Sequence, residues 1–402
     1  MSEKIPITII GGGVIGCAIA YRLARTLKEQ IVLIERNSQI LGENQSSRNS
    51  GVVHAGIYYP KDMGPLKARL CIEGNRMLYD FCEEYNIPHK KTGKLVVATD
   101  LREEEYLEDV YRIAQDNSVA GIKKIGSKDI KKYEPNIKAV SALYIPTSGI
   151  VDASQLISKL YKLAESLGVI FLTGNEVISI SIEGEEFAVT VNSKSLTETF
   201  KTAILINAAG IYSDDIARMV NPGSPYRMDP IRGEYVKFYK TRRNDILMNG
   251  MNVYPVPCGY LQDGKKLEVS FKEFWELFSK GKVTKSVGVH LTPTFDIAGG
   301  KYIIGRTVTV GPAYTRPDGK EDYNQTRKEQ YYLDMVKPFF PNLRLEDVSL
   351  HQAGIRAKLK DHYDFIIERD RKHNNCINLI GIDSPGLTSS LAIAKYVSKM
   401  LF

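Results

Sequence analysis

The chain opens on an apolar run, Ile5 to Ile10, broken only by Thr8 and Pro6. A run without polar alternation predicts a parallel strand covered on both faces. Beyond a glycine cluster, Ala18, Tyr21, Leu23 and Leu27 recur at roughly helical spacing, so Val14 to Lys28 is predicted as a helix. Ile31 to Ile34 gives a second buried strand, ending at Glu35. These three elements read as a βαβ unit. Residues 63–85 place Leu66, Leu70, Met77, Leu78, Phe81, Cys82 and Tyr85 on the i, i+4, i+7 pattern of a long amphipathic helix, in which Cys71 and Cys82 are packing residues. Asp152 is placed to cap a helix running to Leu167 and stopped by Gly168. Short strands at 169–172, 177–182 and 187–191, split by turns such as Glu183-Gly184-Glu185, predict a small meander. Further strands are predicted at 203–207, 233–239, 288–292, 302–306 and 376–382, and a last helix at 389–401.

The junction of the first strand and helix is Gly11-Gly12-Gly13-Val14-Ile15-Gly16. Gly11 permits a tight turn, Gly13 lets the backbone approach a pyrophosphate, and Gly16 lets helix press on strand. The helix N-terminus then faces the phosphates. Glu35 stands 19 residues after Gly16, where a carboxylate accepts from a ribose 2′-hydroxyl and repels a 2′-phosphate, which disfavours NADP. The bland alternative is a glycine-rich structural turn, but strand, helix, second strand and acid occur in the required order. FAD and NAD share this half. The far end of the chain separates them: a strand at 376–382, a loop through Asp383 to Thr388, and a helix from Ser389. That second helix N-terminus offers backbone N–H groups to an electron-rich ring edge, as in a reduced flavin. A third strand-to-glycine element ends at Ala209-Gly210, and three dispersed elements suit a long cofactor, FAD.

The segment Ser46-Ser47-Arg48-Asn49-Ser50-Gly51-Val52-Val53-His54-Ala55-Gly56-Ile57-Tyr58-Tyr59 resembles the signature of the L-2-hydroxyglutarate dehydrogenase and oxidase family. The likeness continues, in order, through Lys67 to Cys71, Thr92-Gly93-Lys94-Leu95, Asn207 to Gly210, Arg232 to Tyr235, His290 to Pro293, Ala353 to Arg356 and Ser389 to Ala394. This family lies within the D-amino-acid-oxidase-like flavoproteins. The resemblance implies an α/β chain, α+β overall, with a Rossmann-like FAD-binding domain and a mainly antiparallel substrate domain. The FAD-binding domain is expected from 1–86, 145–222 and 346–402, and the substrate domain from 87–144 and 223–345. Expected cofactor contacts are Gly11, Gly13, Ile15, Gly16, Glu35, Arg36, Ser47, Asn49, Ser50, Gly51, Val177, Ala209, Gly210, Gly386, Leu387, Thr388 and Ser389. Two departures bear on the substrate pocket: residues 259–286 look like an insertion, and Ile304-Gly305-Arg306-Thr307 replaces a leucine-glycine-proline stretch, adding a cation that could border the site.

Oxidising an alcohol carbon needs an acceptor for the hydroxyl proton, and histidine titrates in the right range. His54 is the candidate base; the alternative is that it only contacts or anchors the flavin. Substrate carboxylates call for arginine, whose planar fork binds them through two hydrogen bonds. Arg356 is preferred, then Arg232, then Arg48, which could instead face water or the pyrophosphate. Tyr235 and His290 are candidate polar contacts to substrate, against a bland reading as satisfied sheet residues.

Composition narrows the classes. The chain has 402 residues, 43% hydrophobic and 25% charged, which suits a globular enzyme with two domains or more. Its formal net charge of +7 is spread along the chain, which points to an acidic small molecule rather than nucleic acid. The acidic run Glu103-Glu104-Glu105 reads as a solvated helix face. Five cysteines without a CxxC pair fit a reducing compartment, and the cytoplasm is expected. No apolar run reaches about 18 residues, so no spanning helix is expected, while peripheral membrane contact stays open. Six histidines without HxxxH spacing give no metal site, and no G-x-S-x-G elbow marks a hydrolase. The expected reaction is FAD-dependent oxidation of an L-2-hydroxyglutarate-like acid, with oxygen, a quinone or a carrier protein as electron acceptor. The alternatives are glycerol 3-phosphate oxidation, an amino-acid or sarcosine-type oxidase, and a non-catalytic flavoprotein subunit.

Overall fold

A computed structural model describes residues 4–194, 196–261, 265–280 and 282–401. Its first eight-stranded sheet is centred on Ile5–Ile10, which runs parallel to Ile31–Glu35 on one side and to the end of Leu196–Asn207 on the other. Ile170–Thr173 extends it beyond Ile31–Glu35, and Cys376–Ile380 runs parallel to the end of Leu196–Asn207. Of the three strands expected to form a meander, Glu176–Glu183 and Glu186–Ser193 make an antiparallel hairpin joined to the start of Leu196–Asn207, whereas Ile170–Thr173 lies outside it, parallel to Ile31–Glu35. Helices Val14–Thr26, Pro65–Glu84, Ala153–Ser166 and Gly386–Met400 cover one face, and their apolar stripes form the largest buried cluster with Ile7, Ile9, Leu33 and Ile377. Asp152 does cap its helix, accepting from the Gln155 N–H at 3.0 Å.

The second eight-stranded sheet is antiparallel except where Asn252–Pro255 runs beside Lys94–Ala98. It holds Ile231–Tyr239, Lys301–Thr315 and His290–Ala298 as neighbours, and packs on Phe339, Phe340 and Tyr332. Ser349–Arg356, expected in the FAD-binding domain, instead edges this sheet, pairing Gly354 with Gly233 and Ala353 with Glu234. The long hairpin 290–315 outruns both short strands predicted in it, because apolar residues continue through Val308 and Val310 into the core.

Two surface readings change. Glu103 is not solvated: its carboxylate accepts from the Thr99 N–H at 2.7 Å and meets Lys266 at 2.5 Å, while Glu105 is exposed as expected. Arg306 does not line the cavity described below: it is 74% exposed and pairs with Asp296 on the outer part of the hairpin. Among the described residues no helix is long and apolar enough to cross a membrane.

Candidate active site

The cofactor end follows from the glycines. Gly11 has φ +110°, and a Cβ there would lie 2.4 Å from the Ala208 carbonyl oxygen; a Cβ on Gly16 would lie 1.8 Å from the Gly11 oxygen. Neither position has room for a side chain, so the helix meets the strand at the distance the motif requires. Glu35 accepts from the Gly12 N–H at 2.8 Å and from the Asn37 N–H at 2.9 Å. Burial pushes its carboxyl up, against the pull of those two bonds. Ser46 Oγ accepts from the Val14 N–H at 3.0 Å, tying the 45–51 loop to the helix N-terminus. The same loop is stitched to the second sheet: Ile355 N–H donates to Gln45 at 2.8 Å, and Gln352 donates to the Asn49 carbonyl at 3.2 Å.

A cavity of about 880 Å³ starts at this helix N-terminus and continues along the 45–51 loop to His54, Arg356 and the 381–387 loop. Of the expected cofactor contacts, Gly13, Ile15, Asn49, Ser50, Gly51, Gly210, Gly386 and Leu387 line it. A Cβ at Gly210 would meet nothing within 4 Å, so the backbone there borders open space. Gly11, Gly16, Glu35 and Ala209 stand behind the wall and shape its turns. Thr388 also works from behind, its Oγ accepting from the His54 N–H at 3.0 Å; the Ser389 hydroxyl beside it is buried without a partner. An extended cleft between two helix N-termini, with open backbone along it, fits a dinucleotide.

Three cofactor expectations are not brought to this wall. Val177 packs its side chain with Ile10, Val32 and Ile34 in an apolar cluster. Arg36 stacks on Tyr212 at 4.2 Å and pairs with Glu321. Ser47 accepts from the Gly42 N–H at 2.9 Å, closing its own loop.

His54 lies at the far end, its backbone held by Thr388 and by Asn75, which donates to the His54 carbonyl at 2.8 Å. His54 Nε2 and Ser384 Oγ lie 3.2 Å apart, and Nδ1 is buried without a partner. Burial, then the charges of Lys94 and Arg356, holds this imidazole well below the ordinary histidine range. Arg356 lines the cavity and donates to Tyr314 at 2.9 Å and to Asp383 at 2.6 Å, which leaves Nε unpartnered. Asp383 also takes Lys67 at 2.8 Å; burial pushes its carboxyl up, but Lys67 and Arg356 outweigh that and hold it low. Tyr235 and Arg48 line the cavity too, Arg48 with its guanidinium 4.0 Å over the Tyr323 ring. His290 lies flat on Tyr254 with ring centres 3.7 Å apart, and burial holds it neutral with help from Lys94 and His54.

Arg232 is the clear correction among the substrate candidates. It is 2% exposed and spent on Glu234 at 3.1 Å, Asp322 at 2.5 Å and Thr315 at 3.0 Å, while Glu234 also accepts from the Thr326 and Arg327 N–H groups. An arginine on a strand whose next-but-one residue is Glu shares a sheet face with it, and that alternation was the available signal. Sequence reasoning passed over Asp383, Ser384 and Tyr314, which only the closing of both sheets brings to Arg356. It also passed over Trp275 and Phe278 in the 259–286 segment, which forms a helix, Phe271–Ser279, whose aromatic side lines the cavity with Lys285. Residues 262–264 and 281 of that segment lie outside the described residues. No group of three or more His, Cys, Asp or Glu that could hold a metal ion occurs among the described residues.

Comparison with known proteins matches residues 6–400 to the family of FAD dependent oxidoreductases called DAO. The chain belongs to this family. As a DAO enzyme it uses FAD, and the cleft described above is where the chain can hold it. The L-2-hydroxyglutarate dehydrogenase of Indibacter alkaliphilus is 31% identical, with 96% of both chains covered. The human mitochondrial L-2-hydroxyglutarate dehydrogenase is 26% identical over 99% of this DAO chain and 88% of its own. Among solved structures, the dithionite-reduced L-alpha-glycerophosphate oxidase from Mycoplasma pneumoniae with FAD bound superposes with TM-score 0.81 at 26% identity, covering 99% of this chain and 95% of that one.

Proposed function

We propose that the protein oxidises a small 2-hydroxy acid of the L-2-hydroxyglutarate type to the 2-keto acid. The observation that carries this is a neutral imidazole with an unpartnered Nδ1, His54, in the same cavity as Arg356, whose fork has donors to spare. Bound FAD supplies a hydride acceptor. Arg356 holds the substrate carboxylate through its free N–H groups, already oriented by Tyr314 and Asp383. In the tautomer that donates from Nε2 to Ser384 Oγ, 3.2 Å away, His54 keeps its Nδ1 lone pair to take the hydroxyl proton. Tyr235 and His290 complete the polar wall, and Trp275 and Phe278 narrow access by water. The relatives named L-2-hydroxyglutarate dehydrogenase support this substrate class. The cofactor-binding part is taken as 1–86, 145–222 and 357–402, and the substrate part as the segments between. The electron acceptor is oxygen, a quinone or a carrier protein.

The test is anaerobic mixing of the FAD-loaded protein with L-2-hydroxyglutarate, its D enantiomer and glycerol 3-phosphate in turn, following loss of oxidised-flavin absorbance. Bleaching by the L-hydroxy acid alone is expected. Bleaching by glycerol 3-phosphate alone would replace this reading with the second one, which the likeness to the Mycoplasma pneumoniae oxidase favours.

A further inference from the structure

Lys67 and Arg356 share the Asp383 carboxylate. Lys94 has no such partner. It is 1% exposed on the strand Lys94–Ala98, and among the described residues its ammonium meets no carboxylate and no hydrogen-bond acceptor. Two ring faces lie against it, Tyr254 at 3.7 Å and Tyr58 at 5.3 Å from their centres, and the Cys71 thiol, His54 and His290 are near enough to feel its charge. Burial pulls its pKa down to about 7. A lysine this deep is ordinarily paired, because an unpaired charge away from water is costly.

A second orphan adjoins it. The Tyr58 hydroxyl is buried without a hydrogen-bond partner, and its ring stacks on that of Tyr254. Tyr58 and Tyr254 both belong to the cavity wall, as do His54 and His290. The ammonium sits behind the wall rings of Tyr254 and Tyr58, and an ammonium there beside a wall hydroxyl that lacks an acceptor is complementary to an oxyanion. That corner is not where Arg356 acts. Arg356 is engaged by Tyr314 and Asp383, whereas Lys94 lies against the rings of Tyr254 and Tyr58. One cation on the cavity wall, Arg356, and one just behind it at another place, Lys94, match two anionic groups on one molecule.

We propose that Lys94 and Tyr58 form a second oxyanion subsite, which receives the distal carboxylate of a dicarboxylate while Arg356 holds the carboxylate beside the reacting carbon. The assignment of Arg356 rests on the function proposed above; the subsite itself does not. The stability forgone by burying Lys94 without a partner is recovered when the dianion arrives.

The test uses acids that cannot be oxidised. FAD-loaded protein is titrated with glutarate, a dianion, and with butyrate, a monoanion of similar reach, following the perturbation of the oxidised-flavin spectrum. Wild type is expected to prefer glutarate by about 10- to 100-fold, the range of a hydrogen-bonded charge pair. Lys94→Met should remove that preference, with butyrate affinity unchanged and a melting temperature at or above that of wild type. Lys94→Arg should restore part of the preference, and Tyr58→Phe should reduce it. A preference that survives in Lys94→Met, an equal loss for both acids, or no preference in wild type would overturn the proposal. Failure of the L-hydroxy acid to bleach the flavin would sink the reaction assigned above without touching this comparison, since neither acid is turned over.

Discussion

Replacing His54 by Asn tests the proton-transfer role at one atom. The backbone at this position is anchored independently of the ring, through the Thr388 hydroxyl at 3.0 Å and the Asn75 amide at 2.8 Å. The imidazole takes with it the 3.2 Å contact with Ser384 and an edge-on contact with the Tyr59 ring, neither of which holds the backbone, so the variant should fold and keep FAD. A positioned general base contributes about 10²- to 10⁴-fold, or about 3–5.5 kcal/mol at 1.36 kcal/mol per decade. The assay is stopped-flow reduction of the flavin at saturating substrate, which isolates this half-reaction from reoxidation. A fall of about 10²-fold or more is expected, with flavin content unchanged. The pH profile supplies an independent check. The active form of His54 is neutral and its pKa is depressed, so protonation removes activity only as pH falls through that lowered value. The wild-type rate should therefore be flat from about pH 6.5 upward through neutrality, with its acid limb well below the ordinary histidine pKa of about 6.5. A fall of less than about tenfold in the variant, or a wild-type limb centred at or above that ordinary value, would refute the reasoning. Loss of FAD from the variant would instead make His54 a cofactor anchor.

Gly16→Ala should abolish FAD binding, since its Cβ would lie 1.8 Å from a backbone oxygen; flavin retained at wild-type stoichiometry would contradict the close helix–strand contact. Arg232→Met should lower stability to denaturant by about 3–5 kcal/mol, because it strands Glu234 in a buried network, while KM of the folded protein stays put. A raised KM at unchanged stability would return Arg232 to the substrate. Trp275 is the chain's single tryptophan and lines the cavity, so its fluorescence should fall when FAD is added to apoprotein; emission indifferent to FAD would place the helix Phe271–Ser279 away from the cleft.

The nucleotide end was legible because its requirements are local. Strand, Gly11 to Gly16, helix and Glu35 are consecutive, and burial on both faces leaves a mostly apolar run whose lack of polar alternation reveals it. The substrate end was half legible. Arg356 and His54 were foreseen as residue types suited to the chemistry, yet nothing local distinguished Arg356 from Arg232. One lines the cavity and the other is consumed inside the sheet, a difference set by strand alternation and by what Glu234 and Asp322 offer nearby. Lys94 was quoted only as part of a motif, because a lysine at the start of a strand normally signals solvent, and its burial depends on Tyr254 from a strand more than 150 positions away. Glu103 misled for a similar reason: its partner Lys266 belongs to the 259–286 segment.

Cys376–Ile380 and Gly386–Met400 lie beside Leu196–Asn207 and Val14–Thr26, elements that a ribosome produces much earlier. Synthesis proceeds from the N-terminus, so until these late elements emerge the first sheet lacks a strand and its oldest helix has an uncovered apolar side. The 381–387 loop, with Asp383 and Ser384, arrives in the same final stretch. The nascent chain therefore cannot complete its cofactor cleft until these late elements have been made, and FAD capture cannot precede them. Until then the protein presents unprotected apolar surface, and its yield in a cell should respond to flavin supply and chaperone capacity more than to the rate of translation.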